Sequence, residues 1–265
     1  NFIIIGAMKS GTTSLYHYIA SHNDVVPSSI KETDFFTTVD DFNKGLNWYE
    51  SLFKKNGKIA FEASPNYAKR HISPGVPDRM YSVLPEVKLI YVLRDPIDRA
   101  VSHYVHNYSH GREGRPFLEV IKNPYSNYIQ TSKYYYQIQA FLKYYSDKHL
   151  FIIESECLRK DTVNVVKDVF RFLGISEEYE TGILEKRFHA SIEKKRRSSL
   201  ERVLTGRTDN PYLLAGIRLI TAPLRKSIER PRLSSVETGI LAEAIGPDVM
   251  QLRQFSGLEF SNWSL

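Results

Sequence analysis

Cysteine is almost missing. Cys157 is the single one in 265 residues, so no intrachain disulfide can form and nothing points to an oxidising compartment. Long apolar runs are missing too. No stretch reaches the roughly 18 apolar residues that a membrane-spanning helix needs. No signal-peptide pattern is legible, so a cytoplasmic location is expected, although the chain opens at Asn1 inside its first apolar run and a trimmed leader stays open. No His, Cys or acidic cluster has metal-ligand spacing, so no metal is expected and the scattered His residues read as core or solvent groups. No nucleic-acid module is legible, and nucleic acid is not an expected partner. Repeats, low-complexity tracts and linkers are absent as well, which leaves one domain.

What is present suits a full core: 42% of residues are hydrophobic and 12% are aromatic. The net charge of +6 is unevenly placed. Residues 186–232 hold 13 Lys and Arg against 4 Asp and Glu, a local +9, while the remainder has 23 against 26. Such a run is either a solvated face or a segment folded over a polyanionic ligand.

The most informative stretch is Phe2 to Tyr16. A β-branched run ends at Gly6, a loop of small residues follows, and a helical pattern starts with Leu15, Tyr18 and Ile19 on one face. Strand, glycine-bearing loop and helix together aim backbone N–H groups and a helix dipole at an anion. A nucleoside-triphosphate loop has Gly, four residues, then Gly-Lys-Ser/Thr. Here Gly6 and Gly11 have that spacing, but Thr12 stands in the Lys position and the lysine, Lys9, lies inside the loop. The plainer alternative is an ordinary turn in which Gly11 relieves sterics.

Val25-Val26 is a short apolar pair before Pro27, and further strands are expected at Lys58–Glu62, Lys88–Leu93 and Leu150–Ile153. Helices are expected over residues 41–53 (one or a pair), 75–84, from Pro96 with Asp95 as its cap, from Ser132 to Tyr145, and over 161–173 closed by Gly174. Strands alternating with helices predict an α/β fold, a central parallel sheet flanked by helices, over residues 1–188. Residues 189–265 read as a basic loop and a helical C-terminal cap, helical over 213–224 and 235–255. Arg94 leaves a core strand and Ser102 lies in the helix after it, a fork of donors and a hydroxyl suited to a second phosphate. Alternatively, Arg94 pairs with Asp95 or Asp98.

The loop Gly6-Ala-Met-Lys9-Ser-Gly-Thr-Thr13, followed downstream by Arg94-Asp-Pro-x-x-Arg99-x-x-Ser102-x-Tyr104, resembles the PAPS-dependent sulfotransferases, where PAPS is 3′-phosphoadenosine 5′-phosphosulfate. The resemblance implies the P-loop-like fold of that family. It also implies that Lys9, Ser10, Gly11, Thr12, Thr13 and Ser14 hold the 5′-phosphosulfate and that Arg94 and Ser102 hold the 3′-phosphate. Arg196, Arg197 and Ser198 match a C-terminal loop that closes over the 3′-phosphate side; a surface cluster is the alternative. Lys31-Glu32-x-x-Phe35-Phe36, Gly45-Leu-x-Trp48-Tyr49 and Glu62-Ala-Ser-Pro-x-Tyr67 are similar to the heparan-sulfate-type branch, and the tail (His189-x-Ser191 to Arg197-Ser198, and Ser261-x-Trp263) to its bacterial relatives. Two departures count against a heparan acceptor: Ala63 stands where the animal enzymes commonly carry Lys, and their C-terminal disulfide has no counterpart.

Sulfuryl transfer needs positioning, a cation on the leaving oxygen and a base on the acceptor. Lys9 is the candidate cation, and the resemblance makes Glu32 the base, with Phe35 and Phe36 expected to desolvate its carboxylate and raise its pKa. His103 is the alternative base, and a simple Lys31–Glu32 pair the plain reading of that dipeptide. Lys31, Glu62, Phe36 and Tyr67 are expected to line the acceptor cleft. The expected function is metal-independent sulfuryl transfer from PAPS, leaving the nucleotide PAP, to a hydroxyl of a carbohydrate, lipid or polyketide-type acceptor. A P-loop small-molecule kinase and a non-catalytic polyanion-binding module are the alternatives. A domain excised from a larger biosynthetic protein would read the same way.

Overall fold

A computed structural model describes residues 1–53, 58–178, 195–196, 198–205, 208, 210–224, 226–228 and 230–265. Five strands, β1 (Phe2–Gly6), β2 (Val25–Pro27), β3 (Ile59–Ala63), β4 (Lys88–Leu93) and β5 (Leu150–Glu154), form one sheet in the order β2-β3-β1-β4-β5. Every pairing in it is parallel. A two-residue ribbon follows, β6 (Lys195–Arg196) against β7 (Lys226–Ser227). The helices are α1 (Thr12–Ile19), α2 (Val39–Phe42), α3 (Leu46–Ser51), α4 (Val76–Val83), α5 (Pro96–Ser109), α6 (Phe117–Ile121), α7 (Asn127–Gln130), α8 (Tyr134–Ile138), α9 (Ser155–Lys160), α10 (Thr162–Leu173), α11 (Ser199–Thr205), α12 (Pro211–Thr221) and α13 (Ser235–Ser256).

A parallel sheet is covered on both faces, so its middle strands read as unbroken apolar runs. β1 is buried at every position. The period of two then sorts its side chains. Ile3, Ile5, Leu89, Tyr91 and Leu93 pack with α4, α5, α8 and α13 on one face. Phe2, Ile4, Phe61, Ile90, Val92 and Ile153 pack with α1 and α10 on the other. α13 does more than cap the domain, because Leu241, Ile245, Val249 and Leu252 are fully inside the first layer. Each such side chain contributes about 1.5–3 kcal/mol of burial.

Local chemistry explains the boundaries. α5 starts with Pro96 in its first turn while the Asp95 carboxylate accepts the Asp98 N–H at 2.8 Å. α10 has Asp161 as its cap and closes on Gly174 at φ 78°. Residues 41–53 fall into a helix pair, with Gly45 at φ 83° making the turn between α2 and α3.

The continuous helix expected from Ser132 to Tyr145 is not formed. α8 stops at Ile138, and a separate 3-10 turn covers Phe141–Lys143. Ser132 is not its cap, because the hydroxyl accepts from Arg99 Nε at 2.8 Å and donates to the Pro96 carbonyl at 2.8 Å. The first N–H groups of α8 are satisfied instead by Asp248 of α13, which accepts from Tyr135 at 2.9 Å and Tyr136 at 2.8 Å. A distant carboxylate thus outcompetes the local cap.

At the end of β1, a Cβ on Gly6 would sit 2.9 Å from Tyr91 Cε2 and 3.0 Å from Ala68 Cβ. Gly6→Ala is therefore expected to lower stability by about 1–3 kcal/mol through overpacking. Urea unfolding checks this, and an unchanged midpoint would show that the strand end has room to give.

Candidate functional site

The turn from β1 to α1 crosses the carboxyl edge of the sheet beside the end of β4. The Ala7 N–H donates to the Val92 carbonyl at 2.7 Å and the Ser10 N–H to the Ala7 carbonyl at 3.1 Å. Lys9 takes a left-handed conformation, φ 73°, and Gly11 follows at φ 100° as the cap of α1. No side chain caps α1. Its first-turn N–H groups, with the positive end of the helix dipole, suit an anion. Ser10 and Thr12 are buried, Lys9, Thr13 and Ser14 half-buried and Gly11 exposed. Among the described residues the buried Ser10 Oγ makes no well-formed hydrogen bond, and the group beside it is the Tyr134 hydroxyl. That hydroxyl gives its own proton to the Arg94 carbonyl at 2.8 Å. Tyr134 therefore stands between the first loop and the second.

Arg94 leaves β4, on the strand next to β1. Its Nη2 donates to Asp98 Oδ2 at 2.8 Å, the pairing its sequence allowed, while its buried Nε has no partner among the described residues. The other oxygen of Asp98 accepts from Arg230 Nη2 at 2.8 Å. Burial pushes the Asp98 carboxyl up, but Arg94 and Arg230 outweigh it and hold the carboxyl below its usual range. Ser102 lies one turn beyond Asp98 on the same face of α5, and among the described residues its hydroxyl has no hydrogen-bond partner. The C-terminal segment buttresses this corner. Trp263 packs against Tyr134 with ring centroids 5.7 Å apart, and the Ser264 N–H donates to Asp95. β6 packs against α5. Of Arg196 only the backbone is described, and Arg197, His189 and Ser191 lie outside the described residues. The Ser198 hydroxyl accepts the Glu201 N–H at 3.1 Å and so caps α11.

His103 is sealed on the buried face of α5. It is 1% exposed, and Arg99 Nη1 lies 3.3 Å from its Nδ1. Burial, then the charges of Arg99, Lys69, His106 and Lys9, hold its pKa far below the usual value, so the ring is neutral.

On the other side of the loop, the segment 31–34 crosses the end of β3. Lys31 Nζ meets Glu32 Oε1 at 2.8 Å and lies 5.9 Å from the Tyr16 ring centroid. Glu32 is exposed. The shielding expected from Phe35 and Phe36 is not found: both rings are fully buried, and Phe35 stacks on Tyr49 at 4.5 Å. Of the residues expected to line a cleft, only Lys31 reaches the surface. Phe36 and Tyr67 are core side chains, and Glu62 is 0% exposed. The Glu62 carboxylate accepts from four hydroxyls, Thr33 at 2.6 Å, Ser64 at 2.7 Å, and Tyr49 and Tyr67 at 2.9 Å each. Burial raises its pKa, and those hydroxyls work against the rise. Glu62 is thus the anchor under the Lys31–Asp34 segment, which is also held by Ala63 N–H to the Lys31 carbonyl and by Asp34 N–H to Ser64 Oγ.

Two groups at this site escaped the sequence reading. Tyr134 stands between the two loops, and Lys69 is buried beside Met8. Asp98, the alternative partner of Arg94 in the sequence, also bridges it to Arg230; nothing local marked Lys69 or Tyr134.

A family model described as a sulfotransferase domain matches residues 1–209, and the chain belongs to that family. Curated relatives include the mouse bifunctional heparan sulfate N-deacetylase/N-sulfotransferase 4, 32% identical over an alignment of 200 positions that covers 67% of this chain and 22% of the relative. The Drosophila melanogaster bifunctional enzyme is 28% identical over an alignment of 214 positions that covers 66% of this chain and 19% of the relative. The chain therefore spans only 22% and 19% of the length of these two relatives. Among solved structures, a sulfotransferase from Alicyclobacillus acidocaldarius shares the fold at a TM-score of 0.66 and 24% identity, covering 100% of this chain and 98% of that one. A retinol dehydratase solved with androsterone and inactive cofactor PAP shares the fold at a TM-score of 0.50 and 13% identity, with coverage of 98% and 82%.

Glu62→Gln removes one acceptor from four buried hydroxyls and places an amide N–H₂ among them. A loss of about 1–3 kcal/mol is expected. Urea unfolding measures it; an unshifted midpoint would mean that the hydroxyls find other acceptors.

Proposed function

We propose that this domain transfers a sulfuryl group from PAPS to an acceptor hydroxyl, in-line and without a metal. The observation that carries the reading is a pair of strand ends on neighbouring parallel strands of a sulfotransferase-family chain, each with one buried polar atom that has no partner among the described residues, Ser10 Oγ and Arg94 Nε. Those donors, the uncapped start of α1 and the flanking cations fit a ligand with phosphates at two separated places. The residues of the first loop, Lys9 to Ser14, would hold the phosphosulfate. Arg94 and Ser102 would hold the 3′-phosphate, and Arg196, Arg197 and Ser198 would close over that side.

When bound, the donor supplies an activated sulfuryl group on a good leaving phosphate. The chain does the rest. Lys9 places positive charge at the bridging oxygen, where negative charge develops. The α1 N-terminus fixes the phosphate end, so that the reacting atoms are aligned rather than encountered by diffusion. Glu32 accepts the acceptor proton. Its partner Lys31 and the Glu62 anchor below fix where that carboxylate stands. The Glu62 and Tyr67 side chains act from beneath the segment, not as cleft walls.

The acceptor class is a carbohydrate, lipid or polyketide-type hydroxyl. Transfer to an amine is a second reading, favoured by the names of the curated relatives, which are N-sulfotransferases.

The test is transfer of radiolabelled sulfate from PAPS to a panel of hydroxyl and amine acceptors, read also by mass shift. Lys9→Ala is expected to abolish transfer, Glu32→Gln to lower it by about 10²- to 10⁴-fold, and Arg94→Ala to weaken PAP binding. Undiminished transfer by Lys9→Ala would remove the mechanism. Mg²⁺-dependent ATP turnover would favour a kinase, and salt-sensitive polyanion binding indifferent to Lys9 would favour a binding module.

A further inference from the structure

Lys69 is a buried lysine with a charge that the fold does not neutralise. It follows the turn after β3 and is 7% exposed. Its Nζ donates to Asn66 Oδ1 at 2.8 Å and lies 3.0 Å from Met8 Sδ. Both partners are neutral, and a thioether is a weak acceptor. Among the described residues no carboxylate comes within ion-pair distance of it. Asp34 is held off by Asn66, which donates both of its contacts, at 3.2 and 3.1 Å, to the Asp34 carboxylate. The charges that act on Lys69 are Asp34 and Glu32, which favour the ammonium, and Arg99 and Arg112, which oppose it; the rings of His71 and His103 also feel its charge.

Such an arrangement costs stability, because a buried ammonium loses its hydration and, among the described residues, gains no direct ion pair in return, only the more distant Asp34 and Glu32. Its place is what makes it useful. Met8 is the residue before Lys9 in the first anion loop. Residues 64–68 are strapped to β1 through the Ser64 N–H to the Ile4 carbonyl and the Ala68 N–H to the Ile5 carbonyl, at 3.1 and 3.0 Å. The amine therefore stands between the loop that carries Lys9 and the segment that carries Glu32. In a sulfuryl transfer, that is where the moving group passes. Ala63, at the end of β3, brings no charge there.

We propose that the Lys69 ammonium is a second cation of the site, dedicated to the non-bridging oxygens of the sulfuryl group, while Lys9 serves the bridging oxygen. The assignment rests on the sulfotransferase reading above. It gives the buried charge its missing partner only when a sulfated donor is bound. PAP lacks the sulfuryl group, so Lys69 distinguishes the donor from the spent nucleotide. The free amine titrates at about 8, lowered first by burial and then by Arg99, with Asp34 and Glu32 opposing. The cation is thus present below that pH and lost above it.

The experiment is calorimetric titration of the wild type, Lys69→Met and Lys69→Arg with PAPS and with PAP, together with kcat/KM for PAPS across pH and melting without ligand. Lys69→Met is expected to lose about tenfold in PAPS affinity, to keep PAP affinity within about twofold, and to melt no lower than the wild type. Lys69→Arg is expected to restore the PAPS preference and to remove the alkaline limb near pH 8 from kcat/KM, because a guanidinium stays charged. Equal losses for PAP and PAPS would overturn the proposal, since Lys69 would then only prop the loop. So would an unchanged PAPS affinity in Lys69→Met, or a lower melting temperature in both variants. If the wild type binds neither nucleotide, the sulfotransferase reading itself fails, a result separate from any difference among the variants.

Discussion

The parallel pairing of β1 with β4 is the constraint on which the rest depends. It runs from Phe2 opposite Lys88 to Gly6 opposite Tyr91, and the Ala7 N–H extends it to the Val92 carbonyl. Because the strands run the same way, the turns that leave them emerge at one edge. β1 sits between β3 and β4, so the chain departs to opposite sides on leaving neighbouring strands, and a crevice opens there. A slip of β1 by one residue would exchange its two buried rows, moving Ile3 and Ile5 into the layer packed around Ile4, so core packing fixes the register. The proposed anion pockets inherit that precision. Tyr134, buried between them and backed by Trp263, makes their separation a property of the core and not of loop flexibility.

Three cations at this edge, Arg94, Lys69 and Arg99, follow one pattern. Each is placed by a group that does not fully neutralise it. Arg94 has its Nη2 on Asp98 and, among the described residues, nothing on its Nε, and Asp98 itself is shared with Arg230. Lys69 is placed by an amide and a thioether. Arg99, fully buried, is placed by the Ser132 hydroxyl and the Tyr128 carbonyl, with no acid beside it among the described residues. Buried positive charge of this sort is unfavourable for the fold alone and becomes favourable when an anion arrives. The same logic explains why the buried carboxylate, Glu62, is surrounded by hydroxyls rather than by a lysine or arginine: it is finished internally and leaves the cations for something else.

How much of this was legible beforehand depended on the range of the forces involved. β1, β4, the Asp95–Pro96 start of α5 and the Gly174 stop of α10 are set by patterns within a few residues, and the sequence displays them. The adjacency of the two phosphate motifs also follows from short apolar runs that end in special turns. The break after Ile138 does not, because its cause is Asp248, more than a hundred residues away. Phe35-Phe36 misled for a related reason. Two aromatics beside an acid look like a lid, but Tyr49, arriving from α3, draws both rings into the core and leaves Glu32 outside. Glu62 read as a cleft residue because an acid at a strand end is usually exposed. Only the convergence of Thr33, Ser64, Tyr49 and Tyr67 makes a buried position tolerable. Lys69 was invisible, since a Lys-Arg pair in a turn looks like solvent-facing charge.

The exposed setting of Glu32 bears on how the proposed reaction avoids waste. A base already shut away from water by the fold would face the donor in the presence of any trapped water, and hydrolysis would compete with transfer. Here, among the described residues, no ring covers the carboxylate, and it is exposed. On the proposed reading the acceptor itself excludes water and completes the low-dielectric environment in which Lys9 and the α1 dipole act strongly. The donor pockets are built into the core, and the acceptor side is left for the acceptor to finish. That division lets a rigid nucleotide site serve acceptors of different shape, with selection resting on what can cover Lys31 and Glu32.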